Sequence, residues 1–156
     1  MKRHVVLAAL AATLAAGSAI AETAPTDVMF EEGAVAQSLT GAPGSPEAGA
    51  EVASTRALGN CVACHVVSAL SADFQGNIGP ELNGAADRWS EAQLRGIVID
   101  AKHTFPESVM PGMYKTGPFI RPGDAYTGKA APADLPPILT AAQVEDVVAF
   151  LLTLKE

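Results

Sequence analysis

The apolar positions of this chain fall into three groups with helical period, separated by segments rich in glycine and proline. The clearest group covers residues 140–154, TAAQVEDVVAFLLTL. Val144, Val147, Val148, Leu151 and Leu154 form a stripe, Phe150 lies close to it, and Thr140 with Gln143 makes a capping box. A second helix is predicted over 90–102, SEAQLRGIVIDAK, capped by Ser90 and Gln93, with Leu94, Ile97, Val98 and Ala101 on its inner face. A third is predicted over 47–60, with Ser45 as N-cap and Pro46 at the first helical position. Its apolar face is slim: Ala50, Ala53, Ala57 and Leu58. Gly49 predicts close approach of another helix, and the stripe of 140–154 is expected to cross this face. No strand pattern appears, so the fold class is mainly α.

The intervening segments read as loops. Residues 66–84 carry the stiff Gly79-Pro80 pair, and 114–139 hold five prolines and three glycines. A loop as long as 114–139 is commonly functional, and it is expected to wrap the functional centre or form a docking surface. Residues 22–46 are broken by Pro25, Gly33, Gly41, Pro43, Gly44 and Pro46. They predict an extended arm whose Phe30, Val35 and Leu39 dock on the domain or on a partner; a partly ordered leader is the alternative.

Residues 1–21 read as an export signal, with Lys2 and Arg3 ahead of the apolar run Val5–Ala16 and an Ala19-Ile20-Ala21 cleavage site. The mature chain is then expected to start at Glu22. The run is short for a membrane span, with an uncleaved anchor as the alternative, and no second span follows. The expected organisation is signal 1–21, arm 22–46 and a single domain over 47–156.

Cleavage would remove Lys2 and Arg3 and no acidic residue, leaving 8 basic against 17 acidic residues, or −9. Such a balance argues against nucleic-acid binding and says nothing of fold. Aromatic residues are few in a domain of this size, which favours a large apolar group completing the core.

The candidate for that group is named by Cys61-Val62-Ala63-Cys64-His65. C-x-x-C-H is the mark of covalent c-type haem attachment. Residues i and i+3 share a helix face, so two thiols can each reach one vinyl group along a haem edge, and the adjacent histidine can reach the iron. Three rival readings are weaker. A structural zinc site wants four ligands, and the chain has two cysteines and three histidines in all. A thioredoxin-like pair wants alternating strands and helices. A disulfide across so small a loop stabilises little.

Residues 103–113, HTFPESVMPGM, offer His103, Met110 and Met113 as the second axial ligand. Pro111 keeps Met110 extended and out of a helix, which favours it; Met113 follows a glycine, and His103 suits a surface or dipole-capping role. Core filling is the other use for either methionine. A ligating histidine usually donates its second ring N–H, and the carbonyl of Pro80 is a candidate acceptor for His65. Trp89 reads as core packing ahead of a helix.

These blocks in this order resemble a known family. The helix before Cys61-Val-Ala-Cys64-His65, the Gly79-Pro80 turn, Met110-Pro111 and the terminal helix are similar to the class I cytochrome c fold. GNCVACH, FQGNIGPELNG, RWSEAQLRGIVIDAK and SVMPGMY, preceded by VMFEEGAVAQSLTG, narrow the resemblance to the SoxX family over nearly all of residues 26–156. Stretch 114–139 matches least. That family is the small mono-haem subunit of the SoxAX complex of periplasmic thiosulfate oxidation. The resemblance implies one haem c, with Cys61 and Cys64 as covalent attachment points, His65 as proximal ligand and Met110 as distal ligand. It implies a larger SoxA-type cytochrome as partner, the SoxYZ carrier whose cysteine receives thiosulfate, and a diffusible cytochrome c as electron acceptor. The activity of that complex is L-cysteine S-thiosulfotransferase. No nucleophile–base set or paired carboxylates stand out here, so no catalysis is expected from this chain alone. A free periplasmic electron carrier, or a haem subunit of another oxidoreductase, is the alternative.

Overall fold

The structure, a computed structural model, describes residues 21–119 and 128–156. The export signal and the middle of the 114–139 loop lie outside the described residues. Among the described residues there are four α-helices: α1 (Pro46–Ser54), α2 (Ala85–Arg88), α3 (Glu91–Asp100) and α4 (Ala141–Leu151). Single 3-10 turns cover Pro25–Asp27, Cys61–Ala63 and Ala101–His103. Among the described residues there is no β-strand beyond an isolated bridge between Glu31 and Ala34.

α4 is built as its pattern predicts. Val144, Val147, Val148, Leu151 and Leu154 are all buried, Phe150 with them. Its capping box is present, Thr140 N–H donating to Gln143 Oε1 at 2.9 Å and Gln143 N–H to Thr140 Oγ1 at 3.2 Å. α3 has the same device in Ser90 and Gln93. The inner face of α3 is Leu94, Val98 and Ile99, with Ala101 beyond it, while Ile97 is only half-buried.

α1 departs from expectation. It stops at Ser54 because Thr55 turns extended (φ −84°, ψ 122°), and a tight turn closes Leu58 N–H onto Thr55 O at 3.0 Å. Its buried face is Gly49, Val52 and Ala53; Ala57 is exposed and Leu58 half-buried in the turn. The crossing of α1 over α4 is as predicted and depends on Gly49, where a Cβ would collide with the carbonyl oxygen of Asp146. Ser45 N–H donates to the Asp146 carboxylate at 2.7 Å, so α4 also fixes the start of α1.

The N-terminal arm docks on its own domain. Val35 and Leu39 are buried, and Phe30 packs partly against the core. Val35 N–H donates to Ala92 O at 2.9 Å on α3, and Thr23 N–H to Leu39 O at 2.7 Å. The anchor beneath the arm was not visible in the periodicity. Arg95 and Glu145, both almost fully buried, form an ion pair at 2.9 Å between α3 and α4. Arg95 Nη1 donates to Val35 O at 3.0 Å, and Leu39 N–H donates to Glu145 Oε1 at 2.8 Å.

Candidate haem site

Asn60 takes a left-handed conformation (φ 47°) and starts the turn Cys61–Ala63. Cys64 and His65 N–H both donate to Cys61 O, at 3.1 and 2.9 Å, a helical turn that sets the two sulfurs one turn apart. Val62, between them, is buried in the core. Both cysteines are half-buried free thiols. Burial pushes the Cys61 thiol up to about 11, with a downward pull from a backbone hydrogen bond and an upward push from Cys64.

Residues 66–84 wrap this turn. Gly76 N–H donates to Val62 O and Gly79 N–H to Cys64 O, both at 2.8 Å. Gln75 staples the wrap from inside: its Oε1 accepts Val67 N–H at 2.5 Å and its Nε2 donates to Leu70 O at 2.9 Å. Arg88, on α2, holds the far end by donating to Asn83 O and Glu81 O at 2.7 and 3.0 Å.

The wrap orients His65. Its Nδ1 donates to Pro80 O at 2.6 Å, the acceptor expected from sequence, which leaves Nε2 as the electron-pair donor. The ring lies so close to Gly79 that a Cβ there would overlap the imidazole. Glycine at 79 and a carbonyl at 80 thus fix the ring in one plane.

Met110 is half-buried against the same hydrophobic core that receives Cys61. Met113 is 6% exposed, and its backbone is tied to α3 and to Leu139, so it fills the core. His103 is taken up by the arm, its ring stacked on Phe30 at 3.6 Å between centroids and 8° between planes. Trp89 packs against the core and meets Phe105 edge-on at 5.8 Å.

Large apolar side chains stand exposed on both segments. Val66, Phe74 and Ile78 follow the cysteine turn, and Phe105 and Val109 precede Met110. Two thiols one turn apart, an oriented imidazole beside them and bare apolar edges are residues whose chemistry fits a covalent haem. Among the described residues, no cluster of three or more His, Cys, Asp or Glu is placed to hold a metal ion.

The cytochrome c family profile matches residues 46–155. The chain belongs to the cytochrome c family. This cytochrome therefore carries a covalently bound haem c. It is also similar to a chain of the crystal structure of SoxXA from P. pantotrophus, at 60% identity and a TM-score of 0.83. That match covers 87% of this cytochrome and 100% of the other chain. A comparison with curated proteins found no match. No helix among the described residues is long and apolar enough to cross a membrane.

Sequence reasoning missed Gln75, which staples the wrap, and the Arg95–Glu145 pair, which anchors the arm. Glu145 did leave a trace, as one of two adjacent acidic residues, with Asp146, inside the apolar stretch Val144–Val148. Gln75 left none, because an amide in a loop is ordinary.

Proposed function

We propose that this cytochrome is the mono-haem electron-transfer subunit of a SoxAX complex in the periplasm, partnered by a larger SoxA-type cytochrome. The observation that carries the reading is the 60% identity to a chain of SoxXA over that chain's whole length. In such a complex, thiosulfate is joined to a cysteine of the SoxYZ carrier. That coupling turns one thiol and one thiosulfate into an S-thiosulfonate and releases one proton and two electrons. The electrons leave toward a diffusible cytochrome c, and this subunit takes them one at a time.

Cys61 and Cys64 would hold the haem, each thiol adding across a vinyl group to give a thioether with no net redox change. His65 Nε2 would be the proximal ligand and the Met110 sulfur the distal one. The haem supplies a reversible one-electron couple. The protein's part is to keep both axial positions filled, so that no substrate reaches the iron, and to set the potential through a soft thioether and a hydrogen-bonded imidazole. No thiosulfate chemistry is expected from this chain by itself.

The export reading goes with this function. Cleavage after Ala21 would leave a chain starting at Glu22. Glu22 and Thr23 are tied to Tyr114, whose hydroxyl donates to Thr23 O at 2.8 Å and to the Glu22 carboxylate at 3.2 Å. These ties support the reading, since the chain is held to the fold from Glu22 onward.

Native mass spectrometry of the protein drawn gently from its own periplasm tests the proposal. The expected species is the chain from Glu22 with one haem, bound to a second, larger cytochrome. A lone chain with one haem would instead mark a free electron carrier.

A further inference from the structure

The loop that carries Met110 is held by polar ties and little packing. It leaves the turn Ala101–His103 and returns where Met113 and Tyr114 N–H donate to Val98 O and Ile99 O, at 3.4 and 3.2 Å. Between these points Phe105 is 44% and Val109 81% exposed, so neither anchors the loop in the core. Methionine has three rotatable side-chain bonds, so its sulfur is only as well placed as the backbone beneath it.

One side chain spans that backbone. The Lys102 ammonium donates to Ser108 O at 2.6 Å and reaches Met110 O at 3.4 Å, bracketing Val109. Among the described residues no other hydrogen bond reaches either carbonyl. Ser108 Oγ accepts Met110 N–H at 3.2 Å, which closes the turn from within. Asp100 steadies the base, its carboxylate accepting Lys102 N–H at 3.3 Å and the Lys115 ammonium at 2.6 Å. Gly112 lies against this pair: a Cβ there would strike the Lys115 side chain and come within 3.2 Å of Asp100 Cγ. Lys102, in the turn after α3, and Asp100, the last residue of α3, thus hold both limbs of the methionine loop.

We propose that Lys102 is a positioning residue for Met110, fixing the peptides on either side of Val109 so that the thioether is presented to the iron at one point. The inference rests on the reading of Met110 as the distal ligand. The ammonium acts through carbonyl oxygens and does not touch the haem. Removing it leaves the methionine in place but lets its loop swing, so an external ligand competes with the sulfur more easily.

The test uses the haem-loaded protein and two readouts: the long-wavelength methionine–iron charge-transfer band of the ferric form, and the affinity of the ferric form for imidazole. Lys102→Met is expected to weaken the band and bind imidazole about five- to tenfold more tightly, the size of effect one charge-assisted hydrogen bond supports. Lys102→Arg, which keeps the charge and donors, is expected to hold the parent affinity within about twofold, as is the remote control Lys155→Met. Thermal unfolding is followed in parallel. A Lys102→Met protein that melts earlier but binds imidazole as the parent does would make the lysine merely structural and overturn the proposal. Loosening of the same size in Lys102→Arg would overturn the role of the donated bonds. Met110→Ala separates the two readings. A band that survives in it removes the ligand assignment; a band lost in it, with Lys102→Met unchanged, removes only the lysine's role.

Discussion

Arg95 and Glu145 meet in the interior, Arg95 Nε lying 2.9 Å from Glu145 Oε1 and Nη2 3.0 Å from Oε2. Burial opposes the charge on Arg95, but hydrogen bonds to Glu145 and Glu91 outweigh it and raise the guanidinium above its ordinary range. The pair also takes one backbone group from each end of the arm's apolar stretch, Val35 O and Leu39 N–H. Removing Glu145 takes away the buried counterion and leaves Arg95 paired only with the exposed Glu91, which costs up to roughly 3–5 kcal/mol. Glu145→Gln should lower the free energy of unfolding by an amount in that range and make residues 22–44 sensitive to protease. A double replacement by leucines should cost less than Glu145→Gln alone, because no charge is stranded. A Glu145→Gln protein of parental stability with a protected arm would show that the pair is incidental.

The contact of Gly49 with the Asp146 carbonyl sets the separation of α1 and α4. Gly49→Ala favours the helix intrinsically by about 1 kcal/mol, yet it forces the two backbones apart. We expect a net destabilisation of about 2 kcal/mol or more, the range of overpacked cores. Urea unfolding of the haem-loaded protein measures it. Stabilisation by the alanine would contradict backbone contact at the crossing.

The two methionines of the MPGM segment should separate by spectrum and by stability. Met110→Ala should abolish the methionine–iron band while leaving the core intact. Met113→Ala should keep the band and cost roughly 2–5 kcal/mol, as truncation of a fully buried side chain does. The opposite pairing, a band lost only in Met113→Ala, would move the ligand to residue 113.

Asp100 makes stability depend on pH in a defined direction. Burial works to raise its pKa, but the Lys115 hydrogen bond, Lys102 N–H and the charges of Lys115 and His103 together bring it below the ordinary carboxylate range. A carboxylate depressed in the folded state contributes stability that is present above the unfolded pKa and lost as pH falls through the folded one. Asp100→Asn should therefore be less stable than the parent at neutral pH, and the two should converge as the pH drops below about 4. Denaturant midpoints measured from pH 7 downward would show it. A constant gap across that range would mean that the carboxylate's charge is irrelevant.

The sequence exposed those parts of the molecule that repeat or that use rare residue types. The stripe of α4, both capping boxes, the C-x-x-C-H turn and the Pro80 acceptor for His65 were readable, because period, cap chemistry and ligand chemistry each leave local marks. The end of α1 was not. Ala57 and Leu58 continue a helical spacing, and only the turn closed by Thr55 O ends the helix at Ser54. The arm could be read as extended, but its docking depends on Arg95 and Glu145, charges that propensity assigns to solvent. Gln75 and Lys102 act through backbone carbonyls, and any polar residue at those positions would look the same in sequence.

The longest ties have a temporal meaning. Leu39 is 106 positions from Glu145, and Ser45 is 101 from Asp146. Closing loops of about 100 residues carries an entropic cost of about 4 kcal/mol before any contact rewards it. α1 packs chiefly against α4, and the arm is tied to α3 and α4 together. The two flanks of the cysteine turn therefore settle only once α4 is in place, which makes the meeting of the distant ends a late step of folding and not its nucleus.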